Sequence, residues 1–274
     1  MHWRTSLLSI AVVSSVLIGT RIEYTELRGW SRLQVTNWDA LGYYQYLPAV
    51  FIHRDITRQD WVERIDSTYH VIGTGGLYQL MPLENGNRAT KYLCGIAIME
   101  MPFFFLGHWI AGATGHVQDG FSPPYQWCLA FAPLAYCILA LFLLRKVLLC
   151  HWDDGTVALV ILLLVLATNA IQYISVDNAQ THGFLFALHC LVLWATMKWH
   201  ERPRRRWALL IGATIGLATV ARPTELIMLF IPLMWNTQGK ANAKAKWGMV
   251  REHRTHLGWA AVAAFLLLLP QSLY

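Results

Sequence analysis

Charged residues are scarce in this chain. Only 14% of its 274 residues are Asp, Glu, Lys or Arg, whereas soluble domains average about 25%. The charges lie in short patches between long uncharged stretches, and 55% of all residues are hydrophobic. This composition excludes a soluble domain and predicts an integral membrane protein, because the uncharged stretches approach the roughly 20 residues that cross a bilayer as a helix.

Sequence signatures of several soluble enzyme classes are also missing. The chain has no phosphate-binding glycine loop, zinc signature or serine-nucleophile motif. The glycines of IGTGG at 72–76 are interpreted as turn residues. The five cysteines lack metal-ligand spacing and predict no disulfide framework. The formal charge of +6 does not indicate nucleic acid as a partner, because many Lys and Arg residues flank apolar runs.

Apolar runs recur along the chain. They predict an all-α integral membrane fold, a polytopic bundle of about seven to eight apolar helices in one membrane domain over residues 1–274. The runs are Ser6–Gly19, Tyr92–Ala113, Tyr125–Leu144, Gly155–Ile174, His182–Trp199, Trp207–Ala221, Leu226–Trp235 and Leu257–Tyr274.

The predicted domain has three parts. Residues 1–19 form a first transmembrane helix, preferred to a signal peptide because no small-x-small cleavage site follows the run. Residues 20–124 form a large external loop bearing juxtamembrane or re-entrant helices. Residues 125–274 hold the remaining transmembrane helices, and the chain stops inside its last apolar run, so we expect an N-terminal fragment of a longer protein.

Basic patches set the expected topology. The patches at 145–146, 202–206 and 240–254 are separated by pairs of apolar runs, which places all three in the cytoplasm and the loops around Asp177 and Arg222 outside. Tyr92–Ala113 then begins and ends on one side, so we interpret it as a surface or re-entrant helix. In the alternative, this run spans and a later run such as Trp207–Ala221 does not.

An acid stands near the start of the external region, in NWDALGYYQYLPA. Read as a helix, this segment places Asp39, Tyr43 and Tyr46 on one face. A carboxylate beside tyrosines can act as a general base flanked by rings that stack on a sugar or donate hydroxyls. The alternative is an interfacial aromatic helix whose acid is a solvated cap.

Three further polar positions lie at predicted membrane boundaries. Lys91 opens an apolar run and is either a snorkelling anchor or a cation for a lipid phosphate. Asp177 lies between two runs with His182 one turn later, and is either functional or a helix cap. Arg222 breaks the positive-inside trend, which indicates an anionic ligand or an ion pair with Glu225.

These features, in this order, resemble the GT-C superfamily of membrane glycosyltransferases, in particular the branch of protein O-mannosyltransferases and the aminoarabinose transferase of lipid A. The family has an acid near the start of its first external loop, similar to Asp39. A lysine opening a juxtamembrane helix looks like Lys91, and a second external acid looks like Asp177. The motif RRRWALLIGATIGLATVARPTE resembles the later glycine-rich span, which ends at Arg222.

The sequence also departs from this family. Two prolines often follow the family's lysine, whereas Tyr92 and Leu93 stand here. Relatives often carry lysine at the position of Arg222. They also continue through further spans, and often a soluble domain, which leaves open whether this chain is active alone.

The resemblance implies sugar transfer from a polyprenyl-phosphate donor to an acceptor hydroxyl of a glycan, lipid or protein at the external face, with inversion. Asp39 is expected to be the general base, and Lys91, then Arg222, to bind the donor phosphate. Asp177 is expected to hold a metal or orient the acceptor, with Tyr43, Tyr46 and His182 also binding substrate. Some relatives use a divalent metal and others none, so the cofactor stays open.

Two other function classes stay open, a multi-pass transporter or flippase and a non-catalytic membrane subunit. The polar groups at one face and the lack of an internal repeat are not typical of a transporter. The sequence has no Asn-x-Ser/Thr sequon, which is compatible with a bacterial inner membrane whose periplasmic face carries the site.

Overall fold

The structure, a computed structural model, describes residues 4–28, 33–73 and 76–274. Helices make up 74% of these described residues. Four of the described helices are long and apolar enough to cross a membrane, which supports the predicted helical membrane protein. These candidate spans are Thr5–Glu26, Gly95–Thr114, Pro123–Leu148 and Arg254–Ser272.

The first half of the chain places one long helix before a region of short elements and ends on two further long helices. The elements are α1 (Arg4–Arg28), α2 (Trp38–Tyr44), α3 (Tyr46–Pro48), a π-helical turn (Ala49–His53), α4 (Trp61–Tyr69), β1 (Leu80–Pro82), β2 (Arg88–Thr90), α5 (Gly95–Thr114) and α6 (Pro123–Leu148). The strands pair as an antiparallel hairpin, a small departure from the all-α prediction.

The second half is almost entirely helical. Its elements are α7 (Asp154–Leu166), a π-helical turn (Gln172–Val176), α8 (Thr181–Glu201), α9 (Arg205–Ala221), a 3-10 helix (Pro223–Leu229), α10 (Phe230–Met234), α11 (Lys240–Glu252) and α12 (Arg254–Ser272). α9 packs closely on α12, because Gly212 and Gly216 let the backbone of Ala260 and Ala264 approach.

The described helices do not confirm seven to eight spans. The run Gly155–Ile174 is interrupted, because α7 ends at Leu166 and the Thr168 side chain bonds both the carbonyl of Leu164 and the amide of Ala170. The run Leu226–Trp235 is divided between a 3-10 helix and the short α10. Conversely, α1 continues to Arg28, beyond the predicted end at residue 19.

One end of the bundle is closed by a charged cluster that joins three helices. Arg145, near the end of α6, donates from Nε to Ser6 Oγ at 2.6 Å and pairs with Asp154 at 3.6 Å. Asp154 also accepts from the Ser6 hydroxyl and from the backbone amide of Thr5. The starts of α1 and α7 and the end of α6 therefore lie together, and we call this the basic end.

The opposite end gathers the candidate site residues, and we call it the site end. Here Arg21, near the end of α1, donates to the carbonyl of Val176 at 3.2 Å. Asn178, in the loop before α8, donates to the carbonyl of Ala130 in the first half of α6. The region between α1 and α6, the α7–α8 connection and the end of α9 thus meet away from Arg145.

Helix α5 packs against the end of α9 and along α6, where the Tyr136 hydroxyl donates to the carbonyl of Met99 at 2.9 Å. Its first residue, Gly95, packs against the backbone of Ala221, where a Cβ would lie 2.3 Å from the amide nitrogen. Gly107, farther along, packs against Tyr125 at the start of α6. The surface or re-entrant interpretation of the run Tyr92–Ala113 therefore stays a prediction, and α5 is long and apolar enough for the spanning alternative.

Candidate functional site

Asp39 lies in the first turn of α2 and is held by two tyrosine hydroxyls. Its Oδ1 accepts a hydrogen bond from the hydroxyl of Tyr78 at 2.7 Å and a second from the hydroxyl of Tyr92. The tyrosines come from the loop before β1 and the segment before α5, so three distant parts of the chain converge on one carboxylate. The side chain of Asp39 is half-buried.

The pKa of Asp39 lies below its ordinary value. Burial, the largest influence, would raise this pKa, but the hydroxyl bonds from Tyr92 and Tyr78 and the charges of Lys91 and Arg222 together outweigh it. Burial and the bond to Asp39 raise the pKa of both tyrosines. At neutral pH Asp39 is therefore an anion, and both phenols keep the protons that they donate to it.

Lys91 is an exposed cation over the two aromatic rings. Its Nζ lies 4.9 Å from the ring centroid of Tyr78 and 5.5 Å from that of Tyr92. The backbone amide of Lys91 donates to the carbonyl of Gln79 at 3.0 Å, which fixes this position beside the Tyr78 loop. Lys91 forms no ion pair with any residue that the structure describes, so its ammonium is free to meet an anionic ligand.

The ring of Tyr92 is seated on α2 by a glycine. A Cβ at Gly42 would lie 2.1 Å from Tyr92 Cδ2, so only glycine accommodates the ring in this position. Tyr43 packs edge-on against the same ring, with centroids 4.7 Å apart. The Tyr46 hydroxyl donates to the carbonyl of Tyr92 at 2.6 Å. Helix α2 therefore carries both the acid and the surface that positions one of its donors.

The predicted common face of Asp39, Tyr43 and Tyr46 has a different form in the structure. Helix α2 ends at Tyr44, so Tyr46 belongs to the next helix, α3. Tyr43 and Tyr46 are both buried, and both contact Tyr92 rather than the carboxylate. The hydroxyls that reach Asp39 come from outside the segment.

Arg222 terminates α9 at the site end. It interacts electrostatically with Asp39 and with His182. The packing of Gly95 on Ala221 brings this terminus to the start of α5, just after Lys91 in the chain. The ion pair considered as an alternative explanation for Arg222 is not formed, because the Glu225 carboxylate pairs with His189 at 3.4 Å.

Asp177 is exposed in the loop between the second π-helical turn and α8. Its Oδ2 accepts from the amide of Gln172 at 2.7 Å. It does not cap α8, which begins at Thr181 with Gln180 as its N-cap. Asp177 lines a cavity of about 290 Å³ together with Trp38 and with Ala40. The second acid thus lies near the first, although no bond joins them.

His182 lies in the first turn of α8, beside Tyr173. The two ring centroids are 4.2 Å apart. Its position places it within the electrostatic reach of Arg222, so of the predicted residues it belongs to the rim of the site rather than to the carboxylate cluster.

Sequence reasoning missed Tyr78 and the hydroxyl role of Tyr92. Tyr78 is 39 residues from Asp39 in the chain and Tyr92 is 53 residues away, so no local spacing connects them. One signal was present, since Tyr92 directly follows Lys91 where the resembling family often has proline.

The described residues do not form a ready divalent-metal site. No group of three His, Cys, Asp or Glu side chains with suitable spacing occurs among them. Asp177, the acid that the resemblance would assign to a metal or to orienting the acceptor, accepts a hydrogen bond from Gln172. We therefore assign no step of the chemistry to a metal.

Comparison of the chain with family models, with curated proteins and with solved structures finds no match. Any assignment of function therefore depends on the residues of this chain and their geometry.

Proposed function

We propose that this chain is a membrane glycosyltransferase of the GT-C type, which moves a sugar from a polyprenyl-phosphate donor to an acceptor hydroxyl at the site end of the bundle. The observation that carries the proposal is the cluster of Asp39, Tyr78, Tyr92 and Lys91. It joins an ionised acid to an unpaired cation at the end of apolar helices.

Asp39 would act as the general base. As an anion at neutral pH it can accept the proton of an acceptor hydroxyl while that oxygen attacks the anomeric carbon. The new bond forms on the face opposite the departing phosphate, so the anomeric configuration inverts. The two tyrosine hydroxyls fix the carboxylate before substrate arrives, which lowers the orientational cost of the transition state.

Lys91 and Arg222 would receive the donor phosphate. The leaving lipid phosphate gains negative charge as the glycosidic bond breaks, and cations in a site of low dielectric stabilise that charge strongly. The same cations help to lower the pKa of Asp39 in the free protein. A bound phosphate would offset their charge, raise the pKa of Asp39 and so make it a stronger base once donor is present.

The position of the polar residues also argues against the two other function classes, a transporter and a non-catalytic subunit. Transporters carry their polar groups at the bilayer midplane on broken helices, whereas Asp39, Lys91, Asp177 and Arg222 all lie toward one end of this bundle. A membrane subunit without activity has no need for an acid held by two phenols. The periplasmic face of a bacterial inner membrane is the location we propose for this end.

Sugar transfer in membranes tests the proposal. Membranes carrying the chain, extended to any natural continuation of its gene, receive a panel of radiolabelled polyprenyl-phosphate sugars. We expect Asp39→Asn to reduce transfer by about 10²–10⁴-fold and Lys91→Ala by about 10²-fold or more. Matched controls are Glu84→Gln, an exposed acid of the hairpin turn, and Lys240→Ala, an exposed lysine at the start of α11.

Both controls should keep wild-type transfer at equal expression. Activity that survives Asp39→Asn would remove the proposed base. The absence of transfer from every donor would favour the transporter or the non-catalytic subunit.

A further inference from the structure

A polar cavity lies beside the first turn of α2, and Lys91 is not part of its described lining. Trp38 and Ala40, the neighbours of Asp39 in sequence, line its wall, while Asp39 itself bonds Tyr78 and Tyr92 outside it. Asp39 therefore lies between two lining residues in the chain, with its carboxylate bonded outside the lining. The cavity measures about 290 Å³, near the lower limit of small-molecule pockets, so it suits a small ligand such as a single sugar unit.

The side chains at the cavity are of the kind that bind sugars. Trp38 and Tyr24 supply aromatic rings, while Asn37, Asp177 and Gln180 supply planar polar groups that can bond pairs of hydroxyls. Nothing in this set is suited to an acyl chain, because the lining is predominantly polar.

Trp38 is held at the cavity by a costly backbone conformation. Its φ of 50° lies in the left-handed region, where a bulky residue is an outlier. The amide of Gln79 donates to its carbonyl at 2.9 Å, and the indole packs on Gly73, where a Cβ would clash at 2.9 Å. Despite these restraints, 47% of Trp38 is exposed. Strain of this kind concentrates at ligand sites.

The charges around the cavity cancel. Arg21 is fully buried in its wall and donates to the carbonyl of Val176, and Asp177 is exposed on the facing loop. Among the described lining residues, this one cation and one anion leave no net formal charge. A neutral sugar is favoured over an amino sugar or a uronate, because a charged group would lose hydration without a net opposite charge in the described lining to offset that cost.

We infer that this cavity is the acceptor site and that it takes a neutral sugar ring stacked on Trp38. The inference rests on the proposed function. It places the acceptor next to the proposed base, because the chain neighbours of Asp39 line the cavity. In an inverting displacement the acceptor hydroxyl lies beside the base and attacks the anomeric carbon from the side opposite the departing phosphate. The acceptor is then a neutral glycan or glycolipid headgroup, not a protein hydroxyl.

Saturation-transfer NMR tests the binding step without any need for transfer activity. The full chain in lipid nanodiscs is mixed with neutral methyl hexopyranosides, and with one amino and one uronic acid glycoside. We expect signal from neutral glycosides, with Trp38→Ala weakening binding about tenfold or more. Trp38→Phe keeps an aromatic face and should restore most of the binding. Trp109→Ala, at an exposed position on α5, is the control and should leave binding unchanged.

The outcomes separate the inference from the proposed function. Binding that depends on Trp38, in a chain with no transfer from any donor, supports the cavity and overturns the enzyme. Transfer to a peptide or lipid hydroxyl that Trp38→Ala leaves unchanged overturns the cavity and supports the enzyme. No binding of any neutral glycoside, or binding of charged glycosides alone, overturns the inference.

Discussion

Replacing Tyr92 with phenylalanine removes one of the two hydroxyls that hold the Asp39 carboxylate and leaves the ring in place. The ring remains seated on Gly42, because the substitution adds no atom. A hydrogen bond to a charged group contributes about 1.5–3 kcal/mol. Asp39 is only half-buried, so solvent screens the bond and the lower figure applies. We expect the pKa of Asp39 to rise by about 1, at about 1.4 kcal/mol for each pKa unit.

The lowered pKa of Asp39 also makes the stability of the folded chain depend on pH. The folded-state pKa of Asp39 is depressed, so the ionised carboxylate stabilises the folded chain above its unfolded pKa. This stabilisation is lost as the pH falls through the folded-state pKa. Tyr92→Phe should therefore lower stability at neutral pH and have a smaller effect in acid, where the carboxylate is protonated in both proteins.

Carbon-13 NMR of protein labelled at the aspartate carboxyl measures this pKa, with the Asp39 signal identified by its loss in Asp39→Asn. Tyr78→Phe should raise the pKa by a similar amount. Tyr43→Phe is the control, because Tyr43 packs on the ring of Tyr92 and makes no hydrogen bond to Asp39. An unchanged pKa in Tyr92→Phe, or an equal rise in Tyr43→Phe, would refute the assigned role of the phenols.

Two further predictions concern packing and topology. Gly42→Ala should displace the Tyr92 ring and destabilise the chain by about 1–3 kcal/mol in thermal or denaturant unfolding. Gly19→Ala is the control and should be neutral or stabilising, because no atom lies within 4 Å of the added Cβ. Equal effects of the two substitutions would contradict the close contact between Gly42 and the Tyr92 ring. The preferred topology places both termini of α5 on the same side of the membrane. Single cysteines at Glu84 and at Gln118, in a cysteine-free background, should then react with an impermeant maleimide added from that one side only. Labelling of the two positions from opposite sides would show that α5 spans the membrane.

Part of the fold could be predicted because membrane helices follow from local composition. The runs beginning at Ser6, Tyr92, Tyr125 and Leu257 each correspond to a helix long and apolar enough to span. The breaks in the other runs could not be predicted from hydropathy. At Thr168, for example, a side chain competes for backbone groups, and a hydropathy average does not record that competition.

The candidate site, like the fold, could be predicted from the sequence only in part. Asp39, Lys91 and Arg222 stand at the ends of apolar runs, where a charge is conspicuous, and the structure places them at one end of the bundle. Tyr78 could not be identified, because its contact with Asp39 depends on the tertiary docking of the hairpin region onto α2. The prediction of Tyr43 and Tyr46 assumed one helix, which ends at Tyr44.

The most direct test of the central claim is a single-turnover measurement of sugar transfer at saturating polyprenyl-phosphate donor, with wild type, Asp39→Asn and Glu84→Gln compared at equal protein. The account predicts a product of inverted anomeric configuration. It also predicts a rate reduced by about 10²–10⁴-fold in Asp39→Asn alone. Transfer at the wild-type rate in Asp39→Asn, or a product of retained configuration, would contradict it.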